Sequence, residues 1–283
     1  MKIQYISWLV IVLFVGIQTA QVSANEAVIP LQVVDDSTLI YYRLDSSPNS
    51  TETCTTNPPI TFGDFIKKTL PFEWSDGWAN TPNGIEALKA GAIAIRTYAL
   101  SAYHSAGVIN VGGQDYRCIR AWSTRINFHA SESISNIINN YPNSVTAVDV
   151  TNGIYMTHTN ATALLGIKAI HPQFRDETGL YTSQGYFDDN PQTNDPIPWL
   201  KEVFDPISSG SPEPGMGQEG SRRWAWGKDG SVQNPGSDFP KWDYRRILAH
   251  YYSEVDFVGI TPDPPMIIVA ISLKWKVFRP MGA

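Results

Sequence analysis

The run from Ile85 to about His104 constrains the chain more than any other part of it. It reads Glu86-Ala87-Leu88-Lys89-Ala90-Gly91-Ala92-Ile93-Ala94-Ile95-Arg96-Thr97-Tyr98-Ala99 and continues through Leu100 and Tyr103. Ala is the best helix former, and Glu86 falls in the first turn, where the helix dipole favours negative charge. Leu88, Ala92, Ile95, Ala99 and Tyr103 form one apolar seam, and Ile93 and Leu100 extend the apolar surface beyond it. A helix that is apolar on more than one side is buried by its neighbours. Its small side chains let other backbones come close. The expected fold is therefore α+β: a single mixed domain with a central, buried Ala-rich helix and antiparallel strands around it. Arg96, inside that helix, must pair or reach the surface.

Weaker signals fill in the rest. Residues 25–60 read as an extended lead-in, with strand content in Ala27–Val34 and Thr38–Arg43 and a polar loop from Ser46 to Pro59. Thr61–Leu70 reads as a short helix capped by Thr61, with Phe62, Phe65, Ile66 and Leu70 inward. Gly112-Gly113-Gln114 is a turn, and Ser131–Asn140 a helix with Ile134, Ile137 and Ile138 inward. Alternation from Ser144 to His158 predicts a hairpin, and Leu164–Ile170 another strand. Residues 172–198 read as a long surface excursion, Ser208–Gly220 as a loop, and Trp242–Tyr252 as a last helix with Asp243 near its start. The main domain is placed at 61–260, with a C-terminal tail at 261–283.

Lys2, an apolar run from Ile6 to Ile17 and the small residues Val22-Ser23-Ala24 follow one another as in a secretory signal, placed at residues 1–24. The run is short for a membrane span, which takes about 20 residues. A cleaved signal gives a secreted protein of the cell envelope or exterior; an uncleaved one would anchor the chain. Cys54 and Cys118 are the only cysteines, compatible with one disulfide or with two buried thiols. The net charge of −6, without a basic stripe, argues against nucleic acid. No CxxC or clustered His pair points to a metal, and no motif points to a cofactor.

Several stretches carry a family resemblance. They are Leu70-Pro71-Phe72-Glu73-Trp74-Ser75-Asp76-Gly77-Trp78, then Glu86 to Ala99, then Ala147-Val148-Asp149-Val150-Thr151-Asn152-Gly153, then Tyr244-Arg245-Arg246-Ile247-Leu248-Ala249-His250-Tyr251-Tyr252. In this order they resemble the family of stage II sporulation protein D, which also includes the LytB amidase enhancers. The resemblance runs from about Phe62 to Tyr252. It implies a peptidoglycan lytic transglycosylase, which cuts between N-acetylmuramic acid and N-acetylglucosamine and leaves a 1,6-anhydro sugar. Glu73 holds the position of the family's catalytic acid. Trp74, Trp78, Arg96 and Ser221 are the expected substrate-side residues, with no metal or cofactor. The implied partners are glycan strands and a cell-wall amidase.

Chemistry supports Glu73 independently. Breaking a glycosidic bond needs a proton on the leaving oxygen. Phe72, Trp74 and Trp78 are expected to surround Glu73 with apolar surface, which disfavours the carboxylate and keeps the acid protonated. A transglycosylase manages with one carboxylate because the sugar's own 6-hydroxyl attacks. Asp149 and Asp243 are candidates for a second one. His250 is expected to pack or to cap its helix end. Three departures from the family stand out. The family's Q-V-Y/F after the central turn is Arg125-Ile126-Asn127-Phe128 here. Ala79-Asn80-Thr81-Pro82-Asn83-Gly84 forms an inserted turn beside the proposed cleft. The family's Gly-His-Gly-x-Gly-Met-Ser-Gln signature is altered, in Gly215-Met216-Gly217-Gln218-Glu219-Gly220-Ser221. The altered signature keeps open a non-catalytic wall-binding enhancer of a separate N-acetylmuramoyl-L-alanine amidase.

Overall fold

A computed structural model describes residues 35–44, 53–105, 108–121, 126–158, 173–175, 181–183, 203–207, 216–230 and 236–259. The signal-like leader, Ala27–Val34, Leu164–Ile170 and the tail at 261–283 lie outside them. The described residues form one domain of mixed helices and strands.

Strand β1 (Leu39–Arg43) pairs antiparallel with β2 (Ile60–Thr61). Thr61 then starts helix α1 (Phe62–Lys67), its hydroxyl accepting the Asp64 N–H at 3.1 Å. Phe62, Phe65 and Ile66 are buried, as their spacing predicts. A short helix α2 (Leu70–Glu73) follows, with Pro71 in its first turn, where a missing N–H costs nothing. A 3-10 turn over Asp76–Asn80 leads to helix α3 (Ile85–Ser105). Leu88, Ala92, Ile93, Ile95, Ala99 and Leu100 are all buried. Both short helices and the 3-10 turn pack on α3.

Strands β3 (Val108–Val111) and β4 (Gln114–Arg120) form a hairpin. Gly112 and Gly113 have φ of 63° and 87°, the left-handed pair that a two-residue turn requires. The sheet order is β2-β1-β4-β3. One pairing departs from the antiparallel expectation: β1 runs parallel to β4, with Tyr41 opposite Cys118. Parallel neighbours need a long crossover, and α1 to α3 supply it. Cys54 and Cys118 form a disulfide, fastening the segment before β2 to β4.

Helix α4 (Ile134–Asn140) is capped by Ser133 and buries Ile137, but Ile138 is 48% exposed, contrary to expectation. The first half of the expected hairpin is instead helix α5 (Pro142–Val150). Ser144, Ala147, Val148 and Thr151 are buried at helical spacing and face α3. Docking there overrides the weak helix propensity of the β-branched residues. Strand β5 (Tyr155–His158) pairs antiparallel with the distant β9 (Val255–Val258). Part of the expected excursion at 172–198 is also ordered as strands. Here β6 (Gln173–Arg175), β7 (Tyr181–Ser183) and β8 (Val203–Phe204) form a second antiparallel sheet. Helix α6 (Gln218–Trp226) begins inside the segment read as loop, and α7 (Tyr244–Tyr251) is capped by Asp243 as expected.

Candidate functional site

The site is built where α2 ends. Three contacts hold residues 126–130 against it. Lys68 donates to the Ala130 carbonyl at 2.7 Å, and the His129 N–H donates to the Lys68 carbonyl at 3.2 Å. Phe72 stacks on His129 with ring centroids 3.4 Å apart. Burial lowers the pKa of Lys68, against the nearby Asp64 and Glu132.

Asn127 is thereby placed at Glu73. Its backbone N–H donates to Glu73 Oε1 at 2.6 Å, and its side-chain amide donates to the Phe72 carbonyl at 3.1 Å. From the other side, Gln218 Nε2 donates to Glu73 Oε2 at 2.9 Å. The half-buried carboxyl is therefore held by two segments, 54 and 145 residues away in sequence. An ionised carboxylate accepts at both oxygens, and this pairing suits it.

Two of the residues expected to shield Glu73 are engaged with other partners. Phe72 turns to His129 and, edge-on, to Tyr141. Trp74 is fully buried, so its ring is not presented to a ligand as its substrate-binding role required. Its indole N–H donates to Ser221 Oγ at 3.0 Å, and Ser221 Oγ donates to the Gln218 carbonyl at 2.6 Å. Ser221 is equally buried. The pair fastens α6 to α2 and sets Gln218 beside Glu73. Arg96 is also fully buried and does not orient Glu73. It forms a bidentate pair with Asp36 at 3.0 and 2.8 Å and donates to Thr151 and to the Val148 and Ile154 carbonyls. Its work is to bind the turn before β1 to the end of α5.

Trp78 alone of the expected substrate-side residues is half-buried. The Arg222 guanidinium lies 5.9 Å from its ring centre and 5.2 Å from that of Trp226. Glu219 pairs with Arg222 and Arg223. Burial pushes its pKa up, but the hydrogen bonds and charge of Arg222 and Arg223 outweigh that and hold it below the usual carboxylate value.

The inserted turn is fastened at this corner. Asn83 donates to the Ala225 and Trp242 carbonyls at 3.2 and 2.9 Å. Gly84 is obligatory, because a Cβ there would lie 1.9 Å from the Trp78 carbonyl oxygen. The candidates for a second carboxylate are engaged elsewhere: Asp149 with Lys67 at 2.7 Å, Asp243 in capping α7. His250 packs rather than capping as a cation. Burial against Trp224, Trp242 and Tyr251 lowers its pKa, and Nε2 meets the Phe204 carbonyl at 2.7 Å. No group of three metal-ligating side chains occurs among the described residues.

Asn127 and Gln218 lie in two stretches that read as altered from the family, and the sequence assigned neither a role at Glu73. Asn127 contributes chiefly a backbone N–H, which leaves no trace in residue type. Gln218 did leave one, since Gly215-Met216-Gly217-Gln218 keeps the spacing of the Gly-Met-Ser-Gln end of the altered signature.

No curated protein matches the chain. A family model described as "Stage II sporulation protein" matches residues 50–158, from the disulfide segment through β5. That stretch holds Glu73, α3 and Asn127, and stops short of Gln218. A domain of the stage II sporulation protein D and LytB family is therefore present over residues 50–158.

Proposed function

We propose that the chain is an exported peptidoglycan lytic transglycosylase with Glu73 as its single acid and base. The matched family links it to peptidoglycan in general. The observation that carries the finer reading is Glu73 itself, half-buried and held at both oxygens by donors from two distant segments. Holding one carboxyl in fixed geometry is what a single-carboxylate mechanism needs. Protonated, Glu73 gives its proton to the glycosidic oxygen as the C1–O bond breaks and the electron pair passes to that oxygen. The muramic 6-hydroxyl closes on C1, and its proton returns to Glu73. The products are a 1,6-anhydro end and a new hydroxyl end, with no water consumed. Trp78 is the remaining ring for sugar contact.

A second reading has its own support. A carboxyl gripped by two N–H donors is suited to the ionised state, which also fits a non-catalytic wall-binding domain that assists an amidase. Incubating the purified protein with peptide-free glycan strands decides between them. The wild type is expected to release 1,6-anhydro products, and Glu73→Gln to lose at least about 100-fold of that rate. Binding of strands without any release would establish the amidase-assisting role instead.

A further inference from the structure

The two donors described on Glu73 are chemically unequal. The Asn127 backbone N–H can only donate, so Oε1 stays an acceptor in every protonation state. Gln218 carries both an NH2 and a carbonyl on one freely rotating amide. Its NH2 faces Oε2 when Glu73 is ionised. A half-turn of the amide would present the carbonyl to a protonated Oε2. We propose that Gln218 is the positioning residue for the acid form of Glu73, directing the working proton to Oε2 and following each change of protonation by turning its amide. This rests on Glu73 being the acid.

The placement of Gln218 is itself enforced. Its backbone carbonyl accepts from Ser221, which is fixed in turn by the buried Trp74 indole. Among the described residues, four charged or titratable groups on the surrounding elements are engaged elsewhere. Lys68 is bonded to the Ala130 carbonyl and His129 is stacked on Phe72. Asp76 accepts from Ser144 and Asn143, and Glu219 pairs with Arg222 and Arg223. The amide of Gln218 can change its hydrogen-bonding role with the charge on Glu73.

Two substitutions pull in opposite directions. Gln218→Met removes the donor and should move the alkaline limb of kcat/KM up by about one pH unit. Gln218→Lys leaves a fixed cationic donor and should move it down by about one unit or more. In both, kcat should fall about tenfold or more while KM stays within about twofold. A residue with a merely structural role would not split the two limbs. The titration of the Glu73 carboxyl, read by isotope-edited infrared against Glu73→Gln, is followed in the same variants and needs no turnover. Opposite shifts of that midpoint support the assignment. Unmoved midpoints in both folded variants overturn it, even if the wild type cleaves strands. If the wild type releases no anhydro products but the midpoints still split, the transglycosylase reading fails while the Gln218–Glu73 coupling stands.

Discussion

Gly91 shows how one missing methyl group serves the site. In an exposed helix interior Gly is worse than Ala by roughly 1 kcal/mol. Here a Cβ would come within 2.7 Å of the Trp74 ring and 3.0 Å of Leu70 Cδ1. Trp74 cannot retreat easily, because its indole N–H is bonded to Ser221. Gly91→Ala should therefore destabilise by about 1–3 kcal/mol despite the better helix former, measured by denaturant midpoint. It should also impair any activity of Glu73, one residue from the displaced ring. Glu73 was legible in the sequence because its motif is local. Its partners were not, since hydrogen bonds to residues 54 and 145 positions away follow from tertiary packing alone.

Helices α1, α3 and α7 were legible for a related reason. The caps of α1 and α7 and the apolar spacing and Ala content of α3 are local signals, and the structure keeps all three helices within a few residues. Helix α5 was not, because the β-branched residues in Val145-Thr146-Ala147-Val148-Asp149-Val150 imitate a strand. Its start also lacks a local cap; Tyr141 makes no side-chain capping bond. Asp76, from the motif that carries Glu73, fills that role by accepting the Ser144 N–H at 2.6 Å and an Asn143 amide bond at 3.1 Å. Asp76→Ala should cost about 1–2 kcal/mol. Amide exchange should rise first in the opening turn of α5, where the orphaned N–H lies.

Across the whole domain, one covalent and one titratable contribution can be separated. The Cys54–Cys118 bridge closes a separation of 64 residues, for which loop-closure entropy alone gives about 4 kcal/mol. A Cys54→Ser, Cys118→Ser double variant should lose most of that in a denaturant titration. His250 contributes through pH. Its folded pKa lies below the ordinary value of about 6.5. As pH falls below that value the unfolded chain takes up a proton that the folded chain refuses, and stability declines. It is fully retained above the unfolded value. Tm should therefore drop between about pH 7.5 and about pH 5, and His250→Gln, which keeps an N–H for the Phe204 carbonyl, should flatten that part of the drop. The fold class was readable at this scale, but the parallel β1–β4 pair was not, because strand direction follows from the crossover rather than from residue pattern.

The carboxyl of Glu73 is gripped by one amide from inside the matched segment and another from well beyond it. A chain only partly folded, or clipped after residue 158, carries the acid with half of its harness. Completion of the far helix is thus the step that closes the grip on this carboxyl, and a truncated product would still display the motif while lacking that second contact.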